Sequence, residues 1–338
     1  MILVLACILL VLLFALPFVP GTHEILKKRD AKPLYIDIDY RKDPRYFALS
    51  FRTLFLDSLG APSEVEEFRV ITLSKEEKAQ LIRKGRFVCG TVVENILYVM
   101  QDLDSEADVT FKKEVYVRGG ARIGEDNQLQ ALACDGDIHL RRGVKFFRWL
   151  DAEGSITAEG PCVLGVEATC GGVLFLARQC LFMRLYGFPV TTAADPFLLE
   201  QSEEPDRDTG VFEEDPPERD RSTIHALSRI NRSIISKESL TIGEYSVIRG
   251  HVKTHGDLVI GAHVIITGNI FAEGSIQIGP RSHALGTVFS QDHILLKQGA
   301  RVGARNRIKS VIGKKGITIE DSVRVYGYVM TEGKGFVV

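Results

Sequence analysis

Residues 238–291 divide into three lines of eighteen: ESLTIGEYSVIRGHVKTH (238–255), GDLVIGAHVIITGNIFAE (256–273) and GSIQIGPRSHALGTVFSQ (274–291). The third residues of the lines are Leu240, Leu258 and Ile276, the fifth Ile242, Ile260 and Ile278, and the fifteenth Val252, Ile270 and Val288. Glycines keep the same step at 243, 261 and 279, and again at 250, 268 and 286. Apolar residues at alternate positions, broken by glycine, define short strands with one inward face. A fixed period of this length is the mark of a solenoid. Eighteen residues then make three sides of six, and glycine is expected to supply the unusual backbone angles at the corners.

The pattern occurs twice. GDIHLRRGVKFFRWLDAEGSI (136–156) parallels GDLVIGAHVIITGNIFAEGSI (256–276) at a shift of 120 residues, with AEGSI identical in both. The reading is an internal duplication, with a degenerate block at 86–199 and a regular block at 223–338. The first is less ideal because Phe146, Phe147 and Trp149 stand where the second has Ile266, Thr267 and Asn269. Between them, residues 200–221 hold ten acidic residues, three basic residues and three prolines without apolar periodicity. An acidic disordered linker at 200–222 is expected.

Two kinds of β-helix use six-residue sides. The left-handed hexapeptide-repeat group, many of them acyltransferases, places an aliphatic residue inward each hexad and a small residue two positions before it. Ile242, Ile248, Ile260, Ile266, Ile278, Leu296 and Val302 fit the first requirement. Leu240, Leu258, Ile270, Ile276 and Ile294 are too large for the second. The stretch GNIFAEGSIQIGPRSHALGTVFSQDHILLKQGARVG (268–303) instead resembles bactofilin, the polymer-forming cytoskeletal family. The resemblance covers the second block well and the first loosely. It implies an all-β, right-handed triangular β-helix that assembles end to end without nucleotide or other cofactor. It also implies a bacterial scaffold for envelope or motility proteins rather than an enzyme. Two features depart from the family: a second core, and an ordered-looking N-terminal segment. The hexapeptide-type transferase, and a non-polymerising subunit of an envelope or motility complex, remain as alternatives.

Residues 1–16 are apolar without a break, and 1–20 reads as a transmembrane helix anchored by Leu3, Leu5, Leu9, Leu10, Leu12, Leu13 and Phe14. The first positive cluster, Lys27-Lys28-Arg29, follows that run. The positive-inside rule therefore sets the body in the cytoplasm, against the inner membrane. Residues 25–85 read as a small membrane-proximal α/β segment. It comprises a strand at 34–40, then a helix begun by Asp43 and Pro44 and ended by Gly60. A second short helix is expected from the capping box Ser74–Glu77. Phe47, Phe51, Leu54 and Phe55 form the expected apolar face of the first helix.

The net charge of -2 offers no basic surface for nucleic acid. Six cysteines occur without a C-x-x-C spacing. Cys162 and Cys180 are 18 apart and Cys134 and Cys170 are 36 apart, so they fall at stacking positions. They read as small buried residues in a reducing compartment, with an inter-rung disulfide as the alternative. The histidines of the regular block occupy different rung positions, so no metal site is expected. His263 or His283 would be the base if the chain were an acyltransferase. No phosphate-loop motif is present. The C-terminal GKGFVV leaves Phe336, Val337 and Val338 as the expected contact to the next subunit of a homopolymer, with folding onto the last rung of the same chain as the equal alternative.

Overall fold

A computed structural model describes residues 44–59, 68–72, 78–193, 218–219 and 222–338. The apolar run at 1–20, the strand expected at 34–40 and most of the acidic linker lie outside the described residues. Among those described, no helix is long and apolar enough to cross a membrane.

The second block forms three parallel sheets, one per side of the solenoid, designated faces A, B and C. On face A, Leu240 pairs with Leu258, Leu258 with Ile276 and Ile276 with Ile294. On face B, Ile248 lies over Ile266 and Ile266 over Ala284, which lies over Val302. On face C the column is Val252, Ile270, Val288 and Val311. Every one of these side chains is at most 2% exposed, so the large residues two apart on each strand both enter the core. The backbone closes the columns: Gly243 N–H donates to the Ile224 carbonyl, and Gly261 N–H to that of Ile242, each at 2.8 Å.

The corners differ from the sequence expectation. Among the non-glycine residues of the second block, positive φ falls at Leu227 (62°), Tyr245 (57°), His263 (55°) and Arg281 (53°), 18 apart at one corner, and at Ser322 (60°). Only at Gly299 does glycine take that place in this column. The repeating glycines serve close approach instead. A Cβ on Gly268 would lie 2.3 Å from the Gly250 carbonyl oxygen, and one on Gly286 would lie 2.1 Å from that of Gly268. A side chain there would push adjacent rungs apart, which is a packing demand rather than a torsional one.

The period breaks once in the second block. From Val288 to Val311 the step is 23 residues, because five extra residues enter at the corner after Gly303. Ala304 and Arg307 bridge across this loop. The block also starts earlier than expected: Glu218–Arg219, placed in the linker by composition, is a strand paired with Ile234–Ile235.

The first block continues the same three faces. Its face C core column runs Leu97, Val115, Leu132, Leu150, Ala168 and Leu185. Cys134 and Cys170 both stack on Ala152, and burial pushes both thiols up to about 12. The five described cysteines are free thiols, and all but Cys89 are buried.

The segment preceding this block folds differently from expectation. Lys78–Ile82 is a strand, not a helix. It pairs antiparallel with Phe68–Thr72 and parallel with Ile96–Val99, burying Ala79 and Leu81. The local capping signal loses to two flanking strands that satisfy its backbone.

Helix α1 (Tyr46–Leu59) lies on the outside of face C. There the outward residues of the first block are Tyr98, Tyr116, Ala131, Ala133 and Trp149, and they form a second core with Ala48, Phe51 and Phe55. The two alanines leave room for the helix, and the flanking rings hold it by edge and stacked contacts such as Phe51–Trp149 (5.5 Å) and Phe55–Tyr98 (5.3 Å). Phe47 and Leu54, expected on this face, are instead exposed. Their place is taken by Ala48 and Arg52. Arg52 is 7% exposed and donates to Asp151, to Asp135 at 3.0 Å and to the Cys134 carbonyl at 2.8 Å. Arg45 reaches Asp151 from the other side at 2.8 Å, and Thr169 donates a further hydrogen bond to that carboxylate.

Two outcomes test this account. Ile260→Ala, in mid-column, should lower stability by about 2–5 kcal/mol in chemical denaturation. Arg52→Ala strips a buried carboxylate of one partner and should cost about 3 kcal/mol of helix docking. The expected signature is faster hydrogen exchange in 46–59 with unchanged exchange in the second block.

Candidate functional site: the ends of the stack

A solenoid presents its interaction potential at its ends, where a rung has a bare backbone edge. The last strand of the first block is Leu181–Thr191, and that of the second is Arg324–Val337. Both are long because each runs round several corners without a break. They pair antiparallel, with Leu181 opposite Phe336, Leu185 opposite Val329, Gly187 opposite Gly327 and Val190 opposite Val325. The core column of face C thereby passes from Leu185 to Val329 without interruption. Gln179 N–H donates to the Val337 carbonyl at 2.8 Å, and Val337 N–H to that of Cys180 at 3.1 Å. Thr192 closes the next corner, donating to the Glu320 carbonyl at 2.7 Å while accepting from Val323 N–H at 3.0 Å. An exposed ion pair, Arg178–Asp321, spans the seam.

The two blocks therefore stack tail to tail within one chain, and the expected polymer contact is corrected. Val337 is fully buried and Phe336 half-buried against the first block, while Val338 stays exposed. Their pairing groups are already used. Gly335 makes the contact possible, since a Cβ there would lie 2.1 Å from the Phe182 ring. A sequence signal for the seam exists in retrospect: LYGF at 185–188 and VYGY at 325–328 place their glycines opposite each other.

The free edges lie at the opposite ends. In the second block, Thr241, Gly243, Val247 and Arg249 donate their N–H groups to the rung before. Their equivalents one rung earlier are Thr223, His225, Arg229 and Asn231. Among the described residues no strand lies beyond them. In the first block, Phe68–Thr72 covers Lys78–Ile82, whereas among the described residues Gly85–Phe87 and Val92–Val93 pair only with the following rung.

The histidines are engaged in the walls. The His263 ring stacks on Tyr245 at 4.8 Å, and His283 Nε2 sits 2.8 Å from the Gly303 carbonyl. Burial holds the His283 imidazole below its ordinary range. Among the described residues, no three His, Cys, Asp or Glu side chains gather as metal ligands.

No family model, curated protein or solved structure matches the chain. The fold alone defines the class: an all-β solenoid of about 13 turns in two blocks joined at their C-terminal rungs.

Glu167 makes the seam sensitive to pH. It is 8% exposed, faces Arg184 and accepts from the Tyr328 hydroxyl at 3.3 Å. Burial raises its carboxyl above the ordinary value, against the opposing pull of Arg184 and Tyr328. A carboxyl raised in the folded state adds stability while protonated and loses it as pH rises through the folded pKa. The urea midpoint should therefore contain a component that falls as pH rises out of the carboxylate range. Glu167→Gln should remove that component and leave the rest of the profile in place.

Proposed function

We propose that the chain is a non-enzymatic scaffold of the bactofilin type that assembles with copies of itself through the rungs at its outer ends. The observation that carries this reading is the seam. Within a single chain, two terminal rungs of this sequence type satisfy each other's edges by antiparallel pairing with a continuous core. Thr223–Ile224 and Arg229–Ile230 present the same kind of edge, with Ile224 already 1% exposed beneath it. A second copy supplies the complementary edge and apolar rung. The right-handed sense of the coil and independence from nucleotide belong to the same reading. So does a span at 1–20 tethering the assembly to the cytoplasmic face of the inner membrane, where envelope or motility proteins would be its clients.

The acyltransferase reading has less support. Leu240, Leu258, Ile270, Ile276 and Ile294 all enter the core, where a left-handed hexapeptide coil calls for small residues at alternate inward places.

The full chain in mild detergent, without nucleotide, should form filaments or sheets with a regular axial repeat in negative-stain electron microscopy. Replacing edge donors with proline, as Thr223→Pro with Arg229→Pro, removes N–H groups that no strand among the described residues receives, so the fold should persist. This variant should keep its circular dichroism and sediment as discrete particles. Discrete wild-type particles at all concentrations would reject self-assembly.

A further inference from the structure

The chain between the two blocks has to travel the length of the second one. Ala193 ends the described part of the first block at the seam. There Thr191 pairs with Arg324 on face B, and Thr192 binds the Glu320 carbonyl in the turn between faces A and B. The chain is next described at Glu218–Arg219, which opens face C at the far end of the second block. Strands of face C are entered from face B, because the chain runs through faces A, B and C in that order. Residues 194–217 therefore leave one edge of face B at the seam and arrive at its opposite edge at the far end. The shorter way between those edges is across face B itself. The face spans five rung spacings, about 24 Å. The 24 residues reach roughly 80 Å when extended, so they have the length to cross it.

Face B is the basic side of that block. Its outward column, read from the seam, is Arg324, Arg301, His283, Ile265, Val247 and Arg229, with no carboxylate in it. All eight arginines from residue 222 onward lie on this face or on the turns that flank it. Arg229, Arg281 and Arg307 are exposed. By contrast, the outward column of face A carries no charge from Thr241 through Gln277 to Thr318, and that of face C is apolar from Phe271 to Ile312. The acidic residues bordering face B are Glu244, Glu320 and Asp321, and the last two bind the Gln298 N–H and Arg178. Residues 194–217 hold nine acidic residues and one basic residue. Their order is acid-rich EQSEEPDRD (200–208), then TGVF (209–212), then EED (213–215). In the same direction the face is basic near the seam, apolar at half-buried Ile265 and Val247, and basic again at Arg229.

We infer that face B is the docking surface for residues 200–215 of the same chain. Residues 200–208 lie on the seam side against Arg281 and Arg307, Val211 and Phe212 lie over Ile265 and Val247, and residues 213–215 lie against Arg229. Guanidinium groups pair well with carboxylates, although a single exposed pair contributes little. Tethering at both ends compensates, because it holds the acidic segment at an effective concentration near the millimolar range, where several weak pairs suffice. The docking does not depend on self-assembly, which uses the ends of the solenoid and not its side.

The test is thermolysin cleavage of the full chain in detergent, before Val211 and before Phe212, followed by mass spectrometry. Rates are normalised to those of a free peptide of residues 200–217, which corrects for any effect of salt on the protease. In low salt the chain should be cut about tenfold or more slowly than the peptide, as several ion pairs imply. In about 1 M sodium chloride, where charges are screened within about 3 Å, the difference should largely vanish. Arg281→Glu with Arg307→Glu should speed cleavage about tenfold, and adding Glu203→Lys with Glu204→Lys should restore protection. Glu213→Lys with Glu214→Lys should likewise rescue Arg229→Glu, and should not rescue the Arg281–Arg307 pair. The arginines changed are exposed, so circular dichroism and the thermal midpoint should stay as in the wild type. Cleavage of the wild type at the peptide's rate overturns the proposal, as does protection that survives both salt and the arginine reversals. Protection that is lost on dilution assigns the contact to a neighbouring copy and overturns docking within the chain.

Discussion

Parallel pairing of each strand with the one eighteen residues on is the constraint from which the other features derive. It fixes which side chains stack, so Leu240, Leu258, Ile276 and Ile294 share one column and must all be apolar. It also fixes how closely rungs approach. At the 250, 268 and 286 corner the backbone of one rung fills the space a side chain would need in the next, and glycine is the only residue that fits. Positive φ at the neighbouring corner is held by Tyr245, His263 and Arg281, whose rings and long stems cover the turn from outside. Torsional strain there is offset by stacking and by the donors that each turn satisfies.

The same ladder explains what happens where it ends. A rung with no successor leaves half of its N–H and C=O groups without partners. In this chain both C-terminal rungs face that problem, and they solve it against each other. Parallel continuation is impossible between two solenoids that meet tail to tail, so the pairing is antiparallel. Bulges at Phe182/Arg184 and Gly187/Val190 absorb the mismatch between strands shaped for parallel neighbours.

The repeated part of this fold was legible because stacking imposes identity at a distance of eighteen, and a periodic signal adds over rungs. Leu240, Ile242, Val252 and their successors were all placed in the core correctly. The first block was legible only through its shift to the second, since its 17- and 18-residue steps blur the period. Non-periodic contacts were not legible. The role of Arg52 has no local signal, because its partners Asp135 and Asp151 are 83 and 99 residues away. The capping box Ser74–Glu77 points to a helix just before Lys78–Ile82, and the strand there is decided by its two neighbouring strands. The seam escaped for the same reason, being a pairing of two unique strands far apart in sequence.

Closing the tails against each other also restricts what assembly is possible. The two remaining ends are chemically different. One begins at Glu218–Arg219, with no strand among the described residues beyond Thr223–Ile224 and Arg229–Ile230, while the other is partly covered by Phe68–Thr72 and flanked by α1. If only the first end pairs, and pairs with its own kind, the contact is isologous and the product stops at a two-fold dimer. Growth beyond that requires the second end to pair as well, through Gly85–Phe87 and Val92–Val93, either with its own kind or with the first end. Pairing like with like gives a filament without polarity, whereas pairing unlike ends gives one with a direction. The covering strand at 68–72 therefore occupies a decisive place, because it blocks one of the three faces through which the second end would continue the core.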